Sequence, residues 1–353
     1  MLPILTRTTQ TLRYALRTSA RRGAVPLIAA AAFLGACQDQ QAPTGAQSKP
    51  SLALSGGIDT TPICPFCGGE PPTDEPSPTP APPAGLVFAR KTHAGVWQIV
   101  NALPDGSNMI QLTLGTASHT DPARSPDYTK IAYVEQPAGS GATRVVVANA
   151  DGSSPVAVTP NMHGITHPSF SPDGQTLAFA AKVGYNGTVI SQIFTVPVQG
   201  GTPQRITVDR NNDLRPSWIN ANEITYVGGT AIDRQAWAIL ANGSSPHPIT
   251  SSGGTGDVSD VTFAKDGSRM AIVFNKARMI QVVTYSPLSS QVIYTTAQGE
   301  TISQLSFSYD GSELAFIDTV ASGNELARIS STGGAVTKLT ADPNLEANPA
   351  WAR

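Results

Sequence analysis

Short apolar stretches alternate with polar turns along most of this chain, and one of them sets the pattern for the rest. From His167 to Ala180 the residues read HPSFSPDGQTLAFA. Apolar and polar positions alternate over Pro168 to Phe170, a polar turn follows at Ser171-Pro172-Asp173-Gly174, and an apolar run covers Leu177 to Phe179. Period-two alternation bounded by turn residues predicts two short strands joined by a tight turn. Proline presets φ at the second turn position, aspartate bonds its own backbone, and glycine closes where a side chain would clash. The unit returns as DPARSPDYTKIAY from Asp121, RPSWINANEITY from Arg215, DVTFAKDGSRMAI from Asp260 and QLSFSYDGSELAF from Gln304. A last copy, NPAWAR from Asn348, has a first strand with nothing after it.

Each unit continues to a third strand, a glycine-rich turn and a fourth strand that ends in an aliphatic residue and threonine. The turns are LPDG at Leu103, ADG at Ala150, QGG at Gln199, ANG at Ala241 and TGG at Thr332. The endings are Leu112-Thr113, Val158-Thr159, Ile206-Thr207, Ile249-Thr250 and Leu339-Thr340. Successive threonines are 46, 48 and 43 residues apart, and a final gap of 90 leaves room for one degenerate copy near Tyr294. Four short strands at this period are the signature of a propeller blade. Within the first strand Ser169, Ser217, Thr262, Ser306 and Ala350 are small, while Phe170, Trp218, Phe263, Phe307 and Trp351 are aromatic. Neighbours in a strand face opposite ways, so the large residues of one blade can meet the small ones of the next. Gly85-Leu86-Val87-Phe88 is a second strand without a first, and Pro349-Ala350-Trp351 a first without a second. Joined, they complete one blade from both ends.

These features resemble the TolB-like propeller repeats: a Pro-x-Trp/Phe-Ser-Pro-Asp-Gly core, an Ile/Leu-Ala-Phe strand, a Gly-Gly turn and a Leu-Thr ending. The resemblance covers about three quarters of the chain and implies a six-bladed ring. The expected fold is therefore an all-β, six-bladed β-propeller of four-stranded antiparallel blades over residues 84–353, closed by the C-terminal strand joining the first blade. The separate N-terminal domain of TolB itself has no counterpart, so its partners do not carry over.

Aligning the copies places one polar residue before each first strand: Asp121, His167, Arg215, Asp260, Gln304 and Asn348. In a closed ring they surround one mouth of the central channel. Strand starts beside water are often polar for that reason alone. The functional reading is a ligand site, because convergent polar groups at a concave mouth are the default site in such a fold. Asp121, His167, Asp260 and Gln304 are acceptable metal ligands, but a single histidine joins the ring and Arg215 falls between His167 and Asp260. No metal or other cofactor is expected. His93, His119, His163 and His247 fall on different units and suit solvated loops. Arg124 stands where the other copies have an aromatic residue. It either packs its stem and guanidinium on a neighbouring ring, in which case Arg124→Ala lowers thermal stability, or reaches Asp121 or the channel.

Composition and charge narrow the class. Charged residues make up 14% of the 353, with 32 glycines and 29 prolines, which favours strands and turns over long helices. A net charge of −2 without a basic block gives no reason to expect nucleic acid. No Gly-x-Ser-x-Gly, HExxH or P-loop occurs, and the Asp-Gly pairs such as Asp173-Gly174 and Asp310-Gly311 are turn residues rather than catalytic carboxylates.

The first 83 residues differ. Arg7, Arg13, Arg17, Arg21 and Arg22 precede an apolar run from Gly23 to Ala36, and Leu34-Gly35-Ala36-Cys37 closes it. Fourteen apolar residues suit a signal segment better than a membrane span. The ending resembles the bacterial lipobox, which implies cleavage after residue 36 and lipidation of Cys37. A mitochondrial transit peptide and a twin-arginine signal are the rival readings. Residues 37–83, rich in Pro, Gly, Ser and Thr, form a tether. Inside it, Cys64 and Cys67 read as a local disulfide, since the strand and helix of a redox centre and the extra ligands of a zinc site are missing. The expected protein is an outer-membrane lipoprotein facing the periplasm or the cell surface. Its expected role is non-catalytic binding or scaffolding toward a protein, peptide or glycan of the cell envelope. A metal-assisted carbohydrate lyase or hydrolase at the channel mouth and a purely structural lipoprotein are the alternatives.

Overall fold

The computed structural model describes residues 85–230, 233–250, 257–274, 276–321, 323–340 and 345–351, and every regular element among them is a β-strand. The signal segment, Cys37, the tether and the Cys64/Cys67 pair lie outside the described residues. In chain order the strands are β1 (Leu86–Lys91), β2 (Trp97–Ala102), β3 (Ile110–Gln111) and β4 (Ser118–Arg124). Next come β5 (Lys130–Gln136), β6 (Ala142–Asn149), β7 (Val156–Ala157) and β8 (Met162–Phe170). Then follow β9 (Thr176–Tyr185), β10 (Thr188–Pro197), β11 (Gln204–Arg205) and β12 (Leu214–Asn220). After these stand β13 (Glu223–Thr230), β14 (Asp233–Leu240), β15 (His247–Pro248) and β16 (Asp260–Phe263). β17 (Arg269–Phe274), β18 (Met279–Tyr285), β19 (Leu288–Thr295) and β20 (Thr301–Phe307) continue the series. It ends with β21 (Glu313–Val320), β22 (Gly323–Ser330), β23 (Thr337–Lys338) and β24 (Glu346–Ala350).

All pairings are antiparallel, and β24 pairs with β1 through Val87↔Ala350 and Ala89↔Ala347. Both ends of the repeat array therefore share one sheet, and Phe88 and Trp351 lie in one apolar cluster. The first strands contact one another in series: β4 to β8, β12, β16, β20 and β24, and β24 back to β4. Where six separate sheets are expected, the sheets number five among the described residues: four of four strands and one of eight. The larger one arises because Ala142 and Thr143 of β6 pair with His163 and Met162 of β8. The long β8 reaches across to the edge of the preceding sheet and joins it there.

Local chemistry explains the repeated signatures. In the turns the serine hydroxyl donates to the aspartate two residues on: Ser125 to Asp127 at 2.6 Å, Ser171 to Asp173 at 2.5 Å, Ser308 to Asp310 at 2.7 Å. The same oxygen accepts the amide that opens the next strand, at Lys130, Thr176 and Glu313. The threonine after each fourth strand accepts an amide of the third strand. Thr113 takes Ile99 N–H at 2.8 Å, and Thr159, Thr207, Thr250 and Thr340 repeat the bond at Val145, Ile193, Ala236 and Leu326. A two-residue fourth strand is thus held by a side chain where the ladder runs out. The degenerate copy instead extends to eight residues in β19, and its Thr296 hydroxyl turns to Glu300 at 2.7 Å. Turn glycines lock one sheet onto the next: at Gly152 (φ +85°) an added Cβ would lie 2.1 Å from the Leu112 carbonyl oxygen. The aromatic residues Phe170, Trp218, Phe263, Phe307 and Trp351 are all buried, each in the apolar layer of its own sheet interface.

Candidate functional site

The six aligned polar residues sit inside or at the edge of their first strands rather than before them. β4, β8, β12, β20 and β24 begin one to five residues upstream of Asp121, His167, Arg215, Gln304 and Asn348, whereas β16 begins at Asp260 itself. The sequence expectation placed them outside because the pairing register breaks there and the alternation breaks with it. In β4, β8, β12 and β20 the register shifts between Thr120 and Ala123, Thr166 and Ser169, Leu214 and Ser217, and Ser303 and Ser306. Five of the six take left-handed φ values: Asp121 49°, His167 52°, Arg215 55°, Gln304 64° and Asn348 55°. Such backbone in non-glycine residues costs roughly 1–3 kcal/mol each and persists only where surrounding structure enforces it.

All six line one cavity of about 110 Å³, together with the residues that follow them in the strands, Arg124, Phe170 and Trp351 among them. Their side chains do different jobs. Three satisfy amides freed by the bulges. Asp121 Oδ1 accepts His167 N–H at 3.2 Å, Asp260 Oδ2 accepts Leu305 N–H at 2.9 Å, and Gln304 Oε1 accepts Asn348 N–H at 2.7 Å. Asn348 Nδ2 donates back to Asp121 at 2.9 Å, tying the last first strand to β4. Arg215 pairs with Asp260 at 2.8 Å. Much of the collar's polarity is therefore a latch from one first strand to another.

His167 is the exception. Its side chain is 26% exposed, yet both ring nitrogens are shielded from solvent and have no hydrogen-bond partner. Nε2 lies 3.5 Å from Asp121 Oδ1. Burial lowers its pKa, with Asp121 pulling the other way, so the ring is neutral near pH 7.

Arg124 lines the same cavity at 3% exposure. Its Nη2 donates to the Asn101 side chain in β2, while Nε and Nη1 have no partner. Burial pulls its pKa down to about 10, which leaves it charged at neutral pH. It makes neither the expected aromatic stacking nor a bond to Asp121 among the described residues. Away from this cavity, Lys265 Nζ stands 4.0 Å over the centre of the Tyr309 ring. The misplaced arginine was visible in the sequence; its unspent donors were not.

The other histidines divide. His163 and His247 lie in strands and are exposed. His119, expected in a solvated loop, is instead buried in β4, with Nδ1 3.0 Å from Gln98 Oε1 and its ring edge-on to Tyr133. Two carboxyls away from the collar are buried as well. Burial pushes Asp213 up to about 7, and burial likewise pushes Glu346, which faces Arg90, up to about 7. No group of three or more His, Cys, Asp and Glu side chains among the described residues is placed to hold a metal ion.

Comparison with known proteins bears on the family. The model of the TolB beta propeller domain matches residues 86–353. Among solved structures, TolB from Acinetobacter baumannii superposes with a TM-score of 0.63 at 18% identity, covering 76% of this chain and 66% of that one. The chain thus spans just under two thirds of that protein's length. A putative TolB from Agrobacterium tumefaciens gives 0.54 at 17% identity, over 75% and 91%. An oligogalacturonate lyase in complex with manganese gives 0.52 at 14% identity, over 72% and 73%. At these identities the likeness is one of fold. No curated protein sequence matches the chain.

Proposed function

Because this chain belongs to the TolB beta propeller domain family, we propose that it is a non-catalytic binding module of the bacterial cell envelope, engaging a protein, peptide or glycan at the channel mouth. One observation carries the reading: polar residues from every first strand converge on one cavity, and His167 in that wall keeps both ring nitrogens unspent. Convergent polar groups in a concavity are what a ligand site requires. We count the eight-stranded sheet as two blades, since only two residue pairs join β6 to β8, which makes six blades in all.

The N-terminal 83 residues, outside those described, complete the protein we propose. Residues 1–36 act as a lipoprotein signal, Cys37 carries the lipid, and 37–83 tether the propeller of 84–353. Cys64 and Cys67 pair locally. The protein is then an outer-membrane lipoprotein facing the periplasm or the cell surface, with no nucleic-acid partner. The metal-assisted reading is the weaker one for a chemical reason. Of its four ligand types, Asp121, Asp260 and Gln304 already accept backbone amides, and Asp260 also holds Arg215.

The test is crosslinking capture from native envelopes with the full-length protein and its His167→Ala variant. His167 serves no latch through its side chain, so the variant should keep its unfolding midpoint while losing the captured partner. Equal capture by both proteins would contradict the reading.

A further inference from the structure

We propose that the channel accepts the carboxylate of a small organic monoanion at Arg124, an inference that rests on the channel-mouth reading and names the chemistry of one of its contacts. The starting point is a position. Where five first strands bury Phe170, Trp218, Phe263, Phe307 and Trp351, β4 buries a guanidinium to the same depth. The fold asks for an apolar side chain there, and an arginine is costly unless its charge and donors are met.

They are met only in part. Arginine carries five N–H bonds. One on Nη2 goes to Asn101, whereas Nε and both N–H bonds of Nη1 have no acceptor. Arg124 is one of the residues that line the collar cavity. A planar guanidinium with N–H bonds that no protein group accepts is matched by a planar carboxylate, which accepts several of them at once.

Charge on the rest of the wall limits the ligand to one negative charge. Asp260 is paired with Arg215, while Asp121 accepts from the His167 amide and the Asn348 side chain and faces no arginine of its own. A dianion would meet Asp121 with no second cation to offset it. A cavity of about 110 Å³ is roughly eight times what a single water needs, enough for the acidic end of a ligand rather than a whole large one. His167, neutral and unspent on the adjacent strand, supplies a donor or an acceptor to the next polar group of that ligand.

Acetate is the probe. Full-length protein labelled with ¹⁵N-arginine is titrated with sodium acetate against sodium chloride at constant ionic strength, following the Arg124 Nε–H resonance and the unfolding temperature. Acetate should shift that resonance saturably and raise the unfolding temperature, whereas chloride should do neither. Arg124→Met should abolish the acetate effect, and Arg124→Lys should weaken it at least tenfold. A chloride-like response in the wild type would overturn the proposal, and that titration needs no variant to fold. So would an acetate effect that survives in Arg124→Met, or a response to sulfate as strong as that to acetate. Acetate binding without envelope capture would leave this inference standing and sink the channel-mouth reading. His167-dependent capture without an acetate response would do the reverse.

Discussion

Strands β4 and β20 are built alike until their last residue. Each carries a register shift at the same offset, a left-handed polar residue within it (Asp121 at 49°, Gln304 at 64°), and a side-chain oxygen that accepts an amide from another first strand. Then β20 ends in Phe307, fully buried among Leu314, Phe316 and Ile329, whereas β4 ends in Arg124. The shared part shows how most first strands meet one another: a bulge, a strained residue and an acceptor for the amide the bulge releases, with β16 joining the series without the bulge. The unshared part shows what closure does not demand. A charge stands where the repeat elsewhere spends apolar surface, and on the carboxylate proposal that difference separates the residues of the scaffold from those of the site.

The contrast is broken most severely at Phe307. Phe307→Ala removes a fully buried ring and should cost roughly 3–5 kcal/mol of unfolding free energy, read from a denaturant midpoint. A loss under about 1 kcal/mol would mean the aromatic layer does not hold the sheets together.

Carboxylates sharpen the comparison through pH. In the turns, hydrogen bonds from Ser308 and Ser312 hold Asp310 down to about 2, so its small, solvent-exposed contribution is present above pH 4 and fades as pH falls toward 2. Asp213 behaves in the opposite sense. Its folded-state pKa of about 7 lies above the ordinary 3.8, because burial favours the protonated form. The fold binds that proton more tightly than the unfolded chain, so stability is greatest below pH 4 and declines as pH rises toward 7. Glu346 adds the same trend between 4.5 and about 7. Asp213→Asn should flatten part of this decline, worth roughly 1–3 kcal/mol between pH 4 and pH 8. An unchanged pH profile would place the burden elsewhere.

How far the sequence went follows the same division. The Ser-Pro-Asp turns, the Leu-Thr endings and the joining of Phe88 to Trp351 were legible because each depends on residues a few positions apart or on a pattern repeated many times. The continuation of the first strands past their bulges was not, since a register shift erases the alternation that marks a strand. Nor was the burial of His119, whose partners Gln98 and Tyr133 lie on other strands. The collar residues could be aligned by repeat. Their latching bonds span 44 to 46 residues between one first strand and the next, and 227 for Asn348 to Asp121, and no local pattern predicts which polar residue accepts which amide. Arg124 was conspicuous by position, but only the fold shows that its hydrogen-bond partner is Asn101.

On the carboxylate proposal, Arg124 serves what enters the channel rather than the ring itself. The direct measurement is the unfolding free energy of ligand-free Arg124→Met beside that of the wild type. The lost bond to Asn101 and the relief of a buried charge oppose each other, so the variant should fall within about 1 kcal/mol of the parent. A loss of the size expected for Phe307→Ala would make Arg124 a structural member of the sheet interface and contradict the account.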